Sequence, residues 1–393
     1  MKERRVVITG LGAITPLGND VPTTWEALLK GKSGAAAITE FDATQCKTHF
    51  ACEVKNFDCS SLIDHKTAHR MDKYAQLAVC SADEALRDAA INIDASNASR
   101  IGVIWGGGMG GLISFEEGWR AFVEGDGVPN FSPFYIPKAL ISMGAGHISL
   151  FFGLKGPSFA VTSACASSSH AIIEALDTIR LGRADMMVTG GSDADVTFSG
   201  IGGFNALRAL STRNDSPETA SRPFSASRDG FVLAEGGVAL VLEEYEHAKA
   251  RGAKIYAELV GAGMTSDAYH MTAPDPNGTE AEHVMRLAME DAGISSLQVD
   301  YINTHGTSTQ LGDLAEVNAI LRVFGEDAYR INLDSTKSMT GHMLGASGAM
   351  EALACALAVH HGIVPPTINH DENDLDEHID YRLNFTFGKA QKR

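Results

Sequence analysis

The sequence predicts an α/β fold made of two similar halves, residues 1–255 and 256–393. Strand-like and helix-like patterns alternate within each half, three stretches of the first half recur in the same order in the second, and two recurring helices are built from small residues. The first recurrence sets VVITGLGAIT (6–15) beside AELVGAGMTS (257–266), an apolar strand followed by Gly-x-Gly and a threonine. In the second, the helix end ALRDAAI (85–91) matches AMEDAGI (288–294). Each is followed by an apolar strand, IGVIW (101–105) or VDYIN (299–303), and a loop rich in glycine or threonine. The third aligns ASSSHAIIEALDTIRLG (166–182) with ASGAMEALACALAVHHG (346–362), with Ile172, Leu176 and Ile179 set against Met350, Leu353 and Leu357. Helical spacing of the apolar positions and a closing glycine at C′ mark both as helices. Their alanines and glycines permit close approach, so the two are expected to pack between mixed, largely parallel sheets.

Composition narrows the function class. The chain has 393 residues, 44% apolar and 21% charged, with 40 glycines, which fits two globular cores rather than a disordered chain. MKERRVVITGLG runs straight into a strand-like segment without a signal peptide's apolar region, and no apolar run is long enough for a bilayer. A cytoplasmic protein with no membrane partner is expected. The net charge of −17 argues against a general nucleic-acid binder. Cysteines 46, 52, 59, 80, 165 and 355 form no CxxC pair and no metal-type Cys/His spacing, so neither extracellular-type disulfides nor a zinc site is expected.

The duplication locates the chemistry. Cys165, in TSACASSSH, directly precedes one of the paired helices. Ahead of its counterpart, STKSMTGHMLG supplies Lys337 and His342, and THGTST after the strand 299–303 supplies His305. Equivalent loops facing one another would bring a thiol and two imidazoles together at strand ends and helix starts, where sites in α/β proteins gather. A helix N-terminus is expected to favour the thiolate of Cys165, and the Cys165 N–H to serve a developing oxyanion. GGGMGG (106–111) spells the dinucleotide signature GxGxxG, but no acidic residue ends a second strand about twenty residues on, so a dehydrogenase is rejected.

TSACASSSH, NTHGTSTQLGD and STKSMTGHMLGASGAME together resemble the Cys–His–His pattern of the β-ketoacyl-[acyl-carrier-protein] synthases. GGFNALRALSTRND and RPFSASRDGFVLAEGG are similar to further stretches of that family, and IWGGGMGGLISFEE with DAYHMTAPDPNG resembles its type II branch. The resemblance implies a thiolase-like five-layer αβαβα fold, a homodimer, and decarboxylative Claisen condensation in fatty acid chain elongation. Cys165 would carry the acyl chain; His305 and His342 would stabilise the enolate formed when malonyl carrier protein loses CO2. Lys337 and Glu351 would support them as a pair, Thr307 and Thr309 would hold the phosphopantetheine arm, and Met109 and Phe204 would line the acyl pocket. No metal and no separate cofactor is implied, because acyl carrier protein delivers both the acyl and the malonyl group. Lys66, Arg70 and Lys73 in HKTAHRMDK would form the basic island that docks it.

A polyketide-type ketosynthase would share these residues, and a non-catalytic condensing-enzyme partner would lack Cys165. The family's final strand and glycine-rich loop, resembling SNSFGFGGTN, is not found before the sequence ends in LNFTFGKAQKR. Low activity is therefore expected of this stretch alone, relative to one extended by that loop.

Overall fold

The structure, a computed structural model, describes residues 4–393. A six-stranded sheet runs in the order Ser158–Val161, Ile101–Gly106, Met186–Asp193, Gly236–Glu244, Val6–Ile14, Ala257–Leu259. Ile101–Gly106 is parallel to both of its neighbours, and the other three pairings are antiparallel. This corrects the largely parallel sheet expected above. Val6–Ile14 is buried along its whole length, and a strand covered on both faces reads as the same apolar run in either direction. The strand Ala257–Leu259 pairs with Val6–Ile14 and completes the first sheet. Farther along, Tyr301–Asn303 pairs in parallel with Asn332–Asp334, and Leu333 bridges on to Phe385.

The two small-residue helices span Ser167–Arg180 and Ser347–His361 and lie against each other. Ile172, Leu176, Ile179, Met350, Leu353 and Leu357 are all buried. The contact is tight enough that a Cβ on Gly348 would stand 2.0 Å from Ser169 Oγ, and Ala349 N–H donates to Ser168 Oγ at 2.9 Å. Both helices end on a left-handed glycine, Gly182 (φ +72) and Gly362 (φ +65), as their sequence ends imply. On the sheet's other face lies the helix Lys73–Asp88, capped by Asp72, whose carboxylate accepts the Tyr74 N–H.

One expectation about cysteine fails. Cys59 and Cys80, 21 residues apart, are joined by a disulfide, their Cα atoms 6.4 Å apart. The segment around Cys59 folds back over the helix that carries Cys80, a single non-local pairing that spacing rules do not register. Among the described residues, no helix is long and apolar enough to cross a membrane.

Candidate active site

Cys165 lies between the strand Ser158–Val161 and the helix Ser167–Arg180. The residue before it, Ala164, sits at φ +50, a left-handed conformation that costs a non-glycine residue roughly 1–3 kcal/mol and is tolerated where the surroundings over-determine it. This kink lifts Cys165 out of the run of the chain. Ser167 Oγ braces the turn by accepting the Ser163 N–H at 2.9 Å and donating to Ala164 O at 2.7 Å.

His342 comes from the opposite side and is held by backbone. Its N–H donates to Val232 O at 2.7 Å, and its carbonyl accepts the Ala234 N–H at 3.0 Å. The stretch RPFSASRDGFVLAEGG thus acts partly as a rail for His342. The ring packs edge-on against Phe231 at 5.0 Å, and Phe231 in turn against Phe204 at 5.4 Å. His342 Nε2 stands 2.9 Å from Cys165 Sγ, and Nδ1 stands 2.9 Å from Ser347 Oγ. Because a hydroxyl can donate or accept, Ser347 permits either tautomer of the ring.

His305 follows the strand Tyr301–Asn303, and its ring meets that of His342 edge-to-face at 5.4 Å. The Glu316 carboxylate fixes its backbone, accepting the His305 N–H at 2.7 Å and the Gly306 N–H at 2.9 Å. Thr307 and Thr309 lie just beyond, hydroxyl to hydroxyl at 3.0 Å. Arg228, almost wholly buried, secures this loop by donating to Thr309 O at 3.1 Å and Gln310 O at 2.8 Å.

The ligating atoms of Cys165, His305 and His342 all lie within 4.8 Å of one another. Behind them Lys337, 2% exposed, forms an ion pair with Glu351. Removing either partner would strand a buried charge, which makes the pair a fixed part of the site rather than a mobile acid or base.

Electrostatics correct the expected thiolate. Burial pushes the Cys165 thiol up to about 11; Lys337 opposes this, and Glu351 and Asp193 reinforce it. Desolvation thus favours a thiol at Cys165, beside an imidazole. Both imidazoles are neutral at rest. Packing around the ring, then the Lys337 charge, lowers His305 to about 3 even though an edge of the residue reaches the surface, and the same causes with His305 added hold His342 well below the usual imidazole value.

The other expected residues are less uniform. Phe204 reaches the site through Phe231. Met109 is 52% exposed on the single chain. The glycine loop around it touches the nucleophile's loop, since Thr162 Oγ donates to Gly108 O at 3.3 Å. Lys66 and Arg70 are exposed, but Lys73 is withdrawn: its ammonium pairs with Glu235 at 2.7 Å and Glu40 at 2.8 Å. Lys73 is thus less free than Lys66 and Arg70 to meet a partner. The buried Glu235, which needs a cation, has claimed it.

Sequence reasoning missed Glu316, Arg228, Ser347 and Asp193. The Asp193 carboxylate accepts N–H groups from Gly108 (2.9 Å), Met109 (3.4 Å) and Gly345 (2.6 Å), tying the glycine loop to the turn that follows His342. It also occupies N–H groups that a dinucleotide's phosphates would require, in keeping with the rejected dehydrogenase. A few residues on, Asp195 is fully buried with both carboxylate oxygens unpartnered. Burial, then Asp193, Asp72 and Glu235, raises its pKa well above the ordinary value. Of the two neighbours, Asp195 keeps the proton, because Asp193 has the amide donors that stabilise an anion.

A raised carboxyl pKa means that the folded state holds a proton the unfolded state has released, so stability falls as pH rises from the unfolded pKa of about 3.9 toward the folded one. Asp195→Asn removes that slope, worth about 1.4 kcal/mol per pH unit. Melting curves between about pH 5 and pH 7 should show the variant's advantage growing with pH. A pH-independent difference would contradict the assignment.

Comparison with known proteins agrees along the chain. The family model described as "Beta-ketoacyl synthase, N-terminal domain" matches residues 3–248, and "Beta-ketoacyl synthase, C-terminal domain" matches 256–371. The chain is 48% identical over 384 residues to the 3-oxoacyl-[acyl-carrier-protein] synthase 2 of Vibrio harveyi, covering 98% of this chain and 92% of that one. It is also 48% identical over 379 residues to the enzyme of the same name from Staphylococcus aureus (strain COL), covering 95% and 91%. A β-ketoacyl synthase from Burkholderia phymatum STM815 superposes with a TM-score of 0.91 at 36% identity, over 99% of this chain and 94% of that one. A type II polyketide ketosynthase solved in complex with its acyl carrier protein superposes with a TM-score of 0.88 at 35% identity, over 100% and 94%. The architecture is the thiolase-like ketosynthase fold.

Proposed function

The chain belongs to the β-ketoacyl synthase family, and on that premise we propose that it is a 3-oxoacyl-[acyl-carrier-protein] synthase, an acyltransferase of fatty acid chain elongation. The observation that carries this reading is the thiol of Cys165, 2.9 Å from His342 Nε2, with His305 in the same cluster. The Cys165 sulfur attacks the acyl thioester as His342 takes its proton. The bond from the acyl carbon to the carrier's sulfur breaks, and the carrier's thiol leaves with that proton. Malonyl carrier protein then loses CO2, the electron pair of the broken C–C bond passes into an enolate, and N–H groups of His305 and His342 receive its oxyanion. The enolate carbon attacks the Cys165 thioester, the C–S bond breaks, a 3-oxoacyl chain two carbons longer departs on the carrier, and the released Cys165 thiolate takes up a proton from solvent to restore the thiol.

The remaining roles belong to the same proposal. Thr307 and Thr309 offer hydroxyls to the pantetheine arm, Met109 and Phe204 line the acyl path, and the carrier's arm replaces any separate cofactor. The protein acts in the cytoplasm. A homodimer is supported by Phe159, 42% exposed on the sheet's edge strand, and by exposed Met109, Phe115, Trp119 and Ile136, an apolar surface of the kind that marks an interface. A polyketide role draws support from the carrier-bound ketosynthase neighbour, but the 48% identity to synthase 2 enzymes favours fatty acids.

Intact-mass analysis after mixing with acyl carrier proteins of several chain lengths tests the reading. It requires an acyl adduct on the enzyme and, with malonyl carrier protein, a 3-oxoacyl product extended by one round. Absence of both refutes it, and repeated extension without reduction would select the polyketide role. For docking, Lys66→Glu with Arg70→Glu should raise KM for the carrier about tenfold with kcat little changed. An unchanged KM would remove these residues from the docking surface.

A further inference from the structure

The three side chains at the centre of the site are also a donor set for a soft metal. We propose that Cys165, His305 and His342 form a three-ligand site, one thiolate and two imidazoles, for a thiophilic divalent cation of the zinc class, and that its occupation blocks acyl loading. The binding half of this inference stands on geometry alone; the regulatory half rests on the function proposed above.

Zinc binds thiolate sulfur at about 2.3 Å and imidazole nitrogen at about 2.0–2.1 Å, so neighbouring donors in a tetrahedral site stand roughly 3.4–3.6 Å apart. Here the three ligating atoms lie within 4.8 Å of one another, with sulfur and one nitrogen already at 2.9 Å. Small rotations of the side chains therefore suffice to surround one ion. Among the described residues, no other three such groups converge as closely.

Several features favour the ion. Ser347 Oγ can accept a hydrogen bond from the Nδ1–H of His342, the tautomer that leaves Nε2 as a bare lone pair, as is usual for a ligating histidine. Carboxylates of Glu316, Glu351 and Asp193 lie close by and offset the charge of Lys337, which is ion-paired with Glu351. Cys165 is half-buried and His305 exposed, so the fourth position opens toward solvent. Binding displaces one proton from sulfur, converting Cys165–SH into a metal thiolate that is no longer free to attack a thioester.

Cobalt(II) is the probe, added to the full chain in chelator-free buffer. The expected result is one thiolate-to-cobalt charge-transfer band per chain, displaced by zinc and absent in Cys165→Ser. His305→Ala should retain the fold by circular dichroism but weaken binding by at least about 10- to 100-fold. Zinc should also protect Cys165 from iodoacetamide and prevent the acyl adduct, with both effects reversed by a chelator. The exposed pair His65 and His69, whose Nε2 atoms lie 3.2 Å apart, can bind cobalt too, but without a thiolate band. Lack of the band, or its survival in Cys165→Ser, overturns the site. Acyl loading that proceeds unchanged at saturating zinc overturns the regulation. A cobalt band in a protein that forms no acyl adduct even with chelator present supports the cation site and refutes the synthase reading instead.

Discussion

Cys165→Ser is expected to lower condensation by a factor on the order of 10^4 to 10^6, the loss that follows removal of a nucleophile acting as part of a unit. The hydroxyl would occupy the same place beside His342 Nε2, now 2.9 Å from sulfur, so binding geometry survives while covalent chemistry does not. A hydroxyl is a far weaker nucleophile than a thiol and needs a stronger base than a neutral imidazole whose pKa burial has lowered. The measurement is the acyl adduct by intact mass, present in the parent protein and missing in the variant. An adduct of undiminished yield in Cys165→Ser would place the nucleophile elsewhere.

His305→Ala should separate the two half-reactions. On the proposed mechanism, acylation uses the thiol and His342, whereas decarboxylation builds an oxyanion for which His305 is a donor. Loss of one oxyanion donor typically costs about 10^2- to 10^3-fold. Malonyl turnover and condensation should fall by that factor while the acyl adduct on Cys165 still accumulates. Equal losses in both steps would mean that His305 acts before decarboxylation. Because Glu316 holds the backbone of residues 305 and 306 rather than the ring, the truncated side chain leaves the loop anchored.

The convergence of Cys165, His305 and His342 was legible because each sits where a strand ends or a helix begins in a repeated unit, and such positions are encoded by local pattern. The paired helices were legible for the same reason: alanine, glycine and closing-glycine positions survive as a visible period. Strand direction was not, since Val6–Ile14 and its neighbour Gly236–Glu244 are buried on both faces and carry no alternation to orient them. The Cys59–Cys80 bond and the withdrawal of Lys73 onto Glu235 depend on contacts between distant segments. The expected thiolate drew on a helix terminus that can be seen in sequence, whereas the desolvation that raises the thiol's pKa cannot. Asp193, Glu316 and Arg228 escaped notice for a related reason. Their work is done on backbone amides and carbonyls, which every residue carries and no motif marks.

The three amides gathered by Asp193 have a mechanical consequence. Met109 and the turn behind His342 are fastened to one carboxylate, so on the acyl path proposed above a fatty tail bulky enough to lever the glycine loop outward would also tug the imidazole off its register with sulfur. Length discrimination is then expected as slower turnover of over-long tails rather than as weaker capture of them.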